Sequence, residues 1–298
     1  MEPFKTILCA TDLSVPARHA AARACRLAGE VGAAVTLIHV LNRGTLDELR
    51  ALLGMQAEAV EQHLVERARA DLNDVAASIG ATPGVATKLH VATGAVPREV
   101  LDHADGISAD LLVLGARGES FVRHLLLGST AERLLRRAGR PMLVVKQRPV
   151  DCYRCVLVPV DFSPWSRGSL NVARAIAPRA ELVLLHAFNV PFEGKLRFAG
   201  VEEESINRYR IEAKQAALQQ LTWLAADAGL DPGATRFSVL QGDASRHVVE
   251  QEQEQDCDLI VLGKHGRNAV EELLLGSVTK HVLAESNCDV VVSSQQAS

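Results

Sequence analysis

Three glycines of the segment GKHGRNAVEELLLGS, Gly263, Gly266 and Gly276, are separated by two residues and then by nine, with Ser277 directly after the last. The same spacing recurs upstream as Gly115, Gly118 and Gly128, followed by Ser129. Glycine accepts positive φ and lets another group approach the main chain closely, so a spaced set reads as a loop wrapped around a ligand. A phosphate chain is the first candidate. On this reading the first glycine makes a tight turn at a strand end and the second takes positive φ. The third opens a helix whose first amides lack internal partners and, with the helix dipole, hold phosphate oxygens. Ser129 and Ser277 are expected to cap those helices and to offer their hydroxyls to the ligand. STAE, residues 129–132, fits a capping box. SVTK, residues 277–280, puts Lys280 in the place of the glutamate, where it opposes the dipole unless an anion is near. The second site is therefore expected to be the more attractive to phosphate. Arg117, Arg123, Lys264, His265 and Arg267 are further phosphate partners, against the plainer reading of solvated loop charges.

No GxxxxGK[ST] loop occurs, and no GxGxxG follows a strand, so the chain is neither an ordinary P-loop NTPase nor a dinucleotide dehydrogenase. No catalytic constellation and no metal-ligand set stands out. His39 and His186 occupy corresponding strand ends and read as hydrogen-bonded structural residues rather than bases. Asp12 and Asp161 are better placed to meet the polar edge of a base, with capping of the next helix, shared with Ser14 or Ser163, as the competing use. Cys152 and Cys155 form a CxxC that is read either as half a zinc site or a redox pair, or as a linker entering a strand.

The elements that must position these groups are written twice. Leu111 to Leu135 aligns on Leu259 to Leu283 without a gap, with 12 identities in 25 positions at an offset of 148. Asp12 and Asp161, His39 and His186, and Gly94 and Gly242 repeat at nearly the same offset. A whole domain is duplicated, which predicts domains over 1–149 and 150–298, joined at the polar QRPVD of 147–151. In the first copy, short β-branched runs predict strands at Thr6 to Ala10, Val35 to Val40, Thr87 to Val91, Leu111 to Leu114 and Met142 to Val145. In the second they lie at Cys155 to Val160, Leu182 to His186, Phe237 to Leu240, Leu259 to Leu262 and Val290 to Val292. Gln56 to Ile79 carries apolar residues at helical spacing. Strands alternating with helices predict an α/β fold: two tandem, doubly wound, five-stranded parallel-sheet domains of Rossmann-like type. Ligands of such sheets sit beyond the carboxyl ends of the strands where strand order reverses, which brings Asp12 to the Gly115 loop and Asp161 to the Gly263 loop.

Composition sets outer bounds. The 298 residues suit roughly two domains of about 150 each. Hydrophobic residues at 48% and charged residues at 23% are those of a globular protein, and a net charge of −4 argues against nonspecific binding to nucleic acid or membrane surfaces. The start MEPFKTILCATD shows no leader, and no apolar run approaches a membrane span, so a cytoplasmic location is expected. Six cysteines are too few for a disulfide framework.

The ATDLS and PVDFS starts, the HVLN and HAFN second-strand ends and the two LGxxGxxxxxxxxxGS segments together resemble the universal stress protein family, in its tandem two-domain form. The likeness covers essentially the whole chain, and the glycine pattern resembles that of the family's ATP-binding subgroup. The resemblance implies an adenine nucleotide alpha hydrolase-like fold and a stress-response regulator that binds ATP, ADP or AMP, the nucleotide in some cases with Mg. A slow ATPase or phosphotransferase acting on itself or a partner is the alternative. Carried over, it implies adenine and ribose near Thr11, Asp12 and Val40, and phosphates on Gly115, Gly118, Gly128, Ser129 and Thr130. In the second copy the implied set is Val160, Asp161, Ala187, Gly263, Gly266, Gly276, Ser277 and Thr279. Ala116 and Arg117 depart from the polar and histidine pair that Lys264 and His265 keep, which makes the first site the less typical. Relatives dimerise through their fifth strands, so the apolar PMLVVKQ and CDVVVSS edges imply an intrachain pseudo-dimer, with a further homodimer and a protein partner as additional expectations. FNVPFEGKLRFAG, residues 188–200, reads as a loop after the second strand, either a lid or partner patch or a loop packed on its own domain.

Overall fold

The computed structural model describes residues 4–53, 57–79, 84–116, 128–266 and 275–294. The chain divides into two compact units, Met1–Cys152 with Asn287–Ser294, and a second that includes Tyr153–Ser286. The first runs β1 (Thr6–Ala10), α1 (Val15–Val31), β2 (Ala34–Asn42), α2 (Arg43–Leu53), α3 (Ala57–Ile79), β3 (Thr87–Gly94), α4 (Val96–Gly106), β4 (Leu111–Gly115), α5 (Ser129–Arg137) and β5 (Met142–Val145). The second runs β6 (Cys155–Pro159), α6 (Pro164–Ile176), β7 (Glu181–Phe188), α7 (Glu193–Phe198), α8 (Glu203–Asp227), β8 (Thr235–Gln241), α9 (Ala244–Glu254), β9 (Leu259–Gly263) and α10 (Ser277–Glu285). The last strand, β10 (Asp289–Ser293), belongs to the first unit.

In the first unit the parallel strands are ordered β3-β2-β1-β4-β5, and β10 pairs antiparallel with β5, Val290 opposite Val144. In the second the parallel order is β9-β6-β7-β8. Both place the first strand of the copy beside the fourth, so order reverses between β1 and β4 and between β6 and β9. The central strands are buried on both faces: Ile7, Leu8, Leu111 and Val113 in one unit, Val156, Leu157, Leu259 and Ile260 in the other, are fully covered. That is the pattern of a parallel sheet with helices on both sides. Each expected strand forms, with ends shifted by a few residues at most.

Helix α1 shows how local sequence serves the site. Ser14 caps it, accepting from the Ala17 amide, Pro16 sits in its first turn, and Gly32 closes it at φ 75. Its inner face is alanine-rich, with Ala17, Ala20, Ala21, Ala24 and Ala28 buried, so the helix lies close over β1 and β4. One aspartate pins the entry of each first strand. Asp110 Oδ2 accepts from the Lys5 and Thr6 amides at 2.8 and 2.9 Å. Asp258 does the same for Arg154 and Cys155, at 2.9 and 3.1 Å.

The segment after β7 differs from the expected loop. Glu193–Phe198 folds into the short helix α7, entered through Phe192 at φ 59, and neither Phe192 nor Phe198 is packed away: they are 70% and 96% exposed. Glu193 ties this helix to α8 through Arg210, and the neighbouring guanidinium holds the Glu193 carboxyl below its ordinary range.

Candidate functional site

At the carboxyl end of the first unit's sheet lies a cavity of about 290 Å³. Its floor is Ala10, Ile38 and Leu114 from β1, β2 and β4. Thr11 and Asp12 form one rim, Val40, Val96 and Val100 the wall on the β2 and α4 side, and Gly128, Ser129 and Thr130 the opening turn of α5. An apolar slot with a few polar groups at its edge is the usual form of a small-ligand site, and the volume is near the lower end of the roughly 300–1000 Å³ such sites occupy.

Each polar group is placed by local chemistry. The β1 strand continues as the Thr11 amide donates to Ile38 O at 2.9 Å, and the chain then turns through Leu13 at φ 68. Asp12 Oδ1 accepts from the Ser14 amide at 3.1 Å, and Thr11 Oγ1 from the Leu13 amide at 3.0 Å. The second unit repeats the turn with Phe162 at φ 60. A bulky residue in the left-handed region costs on the order of 1–3 kcal/mol and persists where the surroundings fix it, characteristically beside functional clefts. His39 bonds through Nδ1 to Thr11 O at 2.9 Å, and His186 to Val160 O at 2.7 Å. Both histidines brace the rim, as expected of structural residues.

The glycine motif is used differently from the sequence reading. The glycines of the motif that are described lie outside the positive-φ set; Gly128 and Gly276 have φ −64 and −57 and act as N-caps of α5 and α10. Ser129 and Ser277 are thus the first helical residues, and the expected capping box at 129–132 does not form. Glu132 instead pairs with Arg136 one turn along, at 2.7 Å. The cap amides are also spoken for, since Gly128 N donates to Ala116 O and Gly276 N to Lys264 O, each at 3.0 Å. The donors left for an anion are the amides of the first helical turn, beginning at Ser129 and Ser277. What glycine supplies here is close approach. A side chain at Gly266 would meet Asp161 Oδ2 at 3.0 Å, and one at Gly263 would meet Trp165 Cβ at 2.9 Å. At Gly128 the nearest atom among the described residues is Ala116 O, at 3.7 Å.

The predicted residues of the first copy, Thr11, Asp12, Val40, Gly115, Gly128, Ser129 and Thr130, all line the one cavity. Gly118, Arg117, Arg123 and Arg267 lie outside the described residues. In the second copy Val160 and Asp161 follow the end of β6, Ala187 lies near the end of β7, and Gly263, Gly266, Gly276 and Ser277 gather at the switch point. The surroundings there are fuller. Asp161 Oδ1 takes the Ser163 amide at 3.0 Å and the hydroxyls of Ser163 and Ser166 at 2.5 and 2.7 Å. Trp165 faces His265 with ring centroids 4.9 Å apart, and Lys264 and His265 are 7% and 6% exposed. Thr279 gives its hydroxyl to Gly263 O at 2.9 Å. The matching positions of the first copy are smaller: Pro16 for Trp165, Ala17 for Ser166, Ala116 for Lys264.

Sequence reasoning missed Val96 and Val100. They come from α4, the crossover helix after β3. A stacked pair docks this helix on its strand: His90 of β3 and His103 of α4 lie 4.0 Å apart and 12° from parallel. Among the described residues, buried His103 Nε2 has no hydrogen-bond partner. Burial first, and the His90 ring second, hold its pKa below the ordinary value. The unfolded chain therefore binds this proton more readily than the folded one. The stability it confers is full above about pH 6.5, the unperturbed histidine value, and is lost as pH falls below it. Urea unfolding between pH 7.5 and 5 is expected to show that decline, and His103→Phe, which keeps the stack, should flatten it. An unchanged slope would count against this cause.

Among the described residues no group of three or more His, Cys, Asp or Glu side chains could hold a metal ion, and no helix is long and apolar enough to cross a membrane.

Comparison with known proteins agrees with the duplication. The chain is 28% identical over 300 residues to a universal stress protein of Mycolicibacterium smegmatis, covering 96% of each. It is 32% identical over 197 residues to one of Mycobacterium bovis, covering 63% of this chain and 62% of that protein. Among solved structures, a universal stress protein of Archaeoglobus fulgidus matches with a TM-score of 0.63 at 20% identity over 97% of each chain, a likeness of fold. The model of the universal stress protein family matches twice, at residues 3–146 and 153–294. The chain belongs to the universal stress protein family and carries its domain twice in tandem.

Proposed function

We propose that the first unit binds an adenine nucleotide, ATP in the first instance, and that occupancy regulates what the protein presents to a protein partner under stress. One observation carries the reading: an apolar slot at the switch point leads directly to the first turn of α5, beside a Gly128 that no described residue crowds. A flat heteroaromatic base suits the valine and isoleucine walls, Thr11 and Asp12 offer polar contacts at the rim, and the α5 amides suit phosphate oxygens. Ser129 and Thr130 add exposed hydroxyls. A Mg ion would arrive with the phosphates of the nucleotide. Among the residues described around this slot, Asp12 and His39 are the titratable ones, and His39 is engaged with Thr11 O, so a binding role fits better than phosphoryl transfer.

The test is an affinity series. If phosphates sit on α5, calorimetric titration should give ATP and ADP dissociation constants at least about tenfold tighter than adenosine, equivalent to ~1.4 kcal/mol. The gap should narrow as salt is raised. Adenosine binding as tightly as ATP, or no saturable binding of either, would overturn the proposal.

A further inference from the structure

We propose that Cys155 and Cys257 form a dithiol that a small hydroperoxide converts to a disulfide, making the second unit a peroxide-responsive element. The two residues are separated by 102 positions but lie at the amino-terminal entries of adjacent parallel strands. Cys155 opens β6, Cys257 precedes β9 by two residues, and the Asp258 amide donates to Cys155 O at 3.0 Å. Their sulfurs are 3.2 Å apart. A disulfide requires about 2.05 Å, an approach of roughly 1 Å that side-chain rotation can supply without moving the strands.

The surroundings activate one of the two sulfurs. Arg236 of β8 donates through Nη2 to Cys155 Sγ at 3.4 Å, and its guanidinium is fixed there by Glu181, at 3.0 Å, and by Gln255. The hydrogen bond from Cys257, and then the Arg236 charge, hold the Cys155 thiol below its ordinary pKa against burial, Glu181 and Asp258. Cys9 and Cys25 are shifted the other way by burial, and Cys152, exposed, by its bond to Glu30. A thiolate beside a fixed cation is the reactive form of cysteine. The residues are only 7% and 6% exposed, which admits a hydroperoxide and excludes bulky disulfides.

The chemistry balances. The Cys155 thiolate attacks one peroxide oxygen, the O–O bond breaks, and the departing hydroxide takes up the thiol proton as water, leaving a sulfenic acid. The Cys257 sulfur then attacks that sulfur; the S–S bond forms, the S–O bond breaks, and the oxygen leaves as a second water with the Cys257 proton. Two thiols give up two electrons to one peroxide, and a thiol reductant reverses the change. The link would close the entry end of the β6–β9 pair, the end remote from the Asp161 and Gly263 side.

The test treats the full chain with hydrogen peroxide in stoichiometric steps, blocks free thiols in urea, and maps peptides without reduction. The expected result is a Cys155–Cys257 cross-link, with free thiols falling by two from six and recovering with dithiothreitol. Cys152→Ser should behave like the parent. Cys257→Ser should stop at a Cys155 sulfenic acid that dimedone traps. Within that variant, Arg236→Gln should move the pH of half-maximal Cys155 alkylation upward, and Arg236→Lys should restore it. A Cys152–Cys155 cross-link, both thiols remaining alkylatable after peroxide, or an unmodified Cys155 in Cys257→Ser would each overturn the proposal. A pH profile indifferent to Arg236 would remove that residue from it.

Discussion

Asp289→Ala is expected to lower the unfolding free energy of the first unit by about 3–5 kcal/mol, read as a shift of the urea midpoint at neutral pH. Asp289 opens β10 and is 1% exposed. Its Oδ2 lies 3.3 Å from Nε of Arg23, itself 7% exposed on α1, while its Oδ1 accepts the Lys146 amide at 2.8 Å and the Gln147 amide at 3.2 Å. Arg23 also donates through Nη1 to Asp151 O at 2.7 Å. One carboxylate thus answers a buried guanidinium and two main-chain donors at the end of β5. Alanine would leave a buried cation without its counter-charge and two amides short of an acceptor, and the cost of uncompensated groups exceeds that of the contacts themselves. Asp289→Asn, which keeps an acceptor oxygen, should fall between the two. Arg23→Met combined with Asp289→Leu should recover much of the loss, because a buried ion pair replaced as a unit by apolar groups is often near neutral. A midpoint unmoved by Asp289→Ala would show that the pair is solvated, contrary to its burial.

The identity of the elements was legible in the sequence because burial imposes a pattern. Strands such as Leu111–Gly115 and Leu259–Gly263 are covered on both faces and read as unbroken apolar runs. Helix α3 was found from its period alone. The first crevice was legible as well, because position at a switch point follows from alternation and strand order. What local sequence does not carry are contacts between distant residues and shifts of a single residue. Serine after glycine looked like a cap, yet the chain reaches helical geometry one residue early and Gly128 takes that place. The expected positive φ at the second motif glycine is not taken by Gly266, and left-handed geometry instead occurs in a different turn, at Leu13 and Phe162 after the first strand of each copy. Gly266 lies close against Asp161 Oδ2, more than 100 residues away, a contact no local rule contains. Asp110 and Asp258 hold the strand entries through bonds that span more than 100 residues, beyond the reach of any local pattern. The CxxC spacing points Cys155 to Cys152, whereas its sulfur partner, Cys257, lies at the entry of the adjacent strand.

The two copies should also part company in binding. The sequence favoured the second site, through Lys280 and the Lys264–His265 pair; the packing argues for the first. In the second unit the carboxylate of Asp161 is met by two serine hydroxyls, and Lys264 and His265 are buried, the latter against the Trp165 ring, whereas the smaller Pro16, Ala17 and Ala116 stand at the matching positions of the first, where Ala17 lines the slot. About one adenine nucleotide per chain is therefore expected at saturation. Gly128→Val should weaken that binding roughly 100-fold or more, about 2.7 kcal/mol, because the added methyls would enter the space between slot and helix end. The fold should tolerate the change: among the described residues the nearest atom to a new Cβ is 3.7 Å away, and an N-cap glycine replaced by an apolar residue costs on the order of 1 kcal/mol. Gly276→Val is the matched control, with its nearest contact at 3.6 Å and the same place at a helix start. It should leave nucleotide affinity unchanged while incurring the same small loss of stability. Equilibrium dialysis with labelled ATP, alongside the urea midpoint of each variant, separates the two effects. If Gly276→Val abolished binding and Gly128→Val did not, the nucleotide would belong to the second unit, and the packing around Asp161 would have to open to admit it.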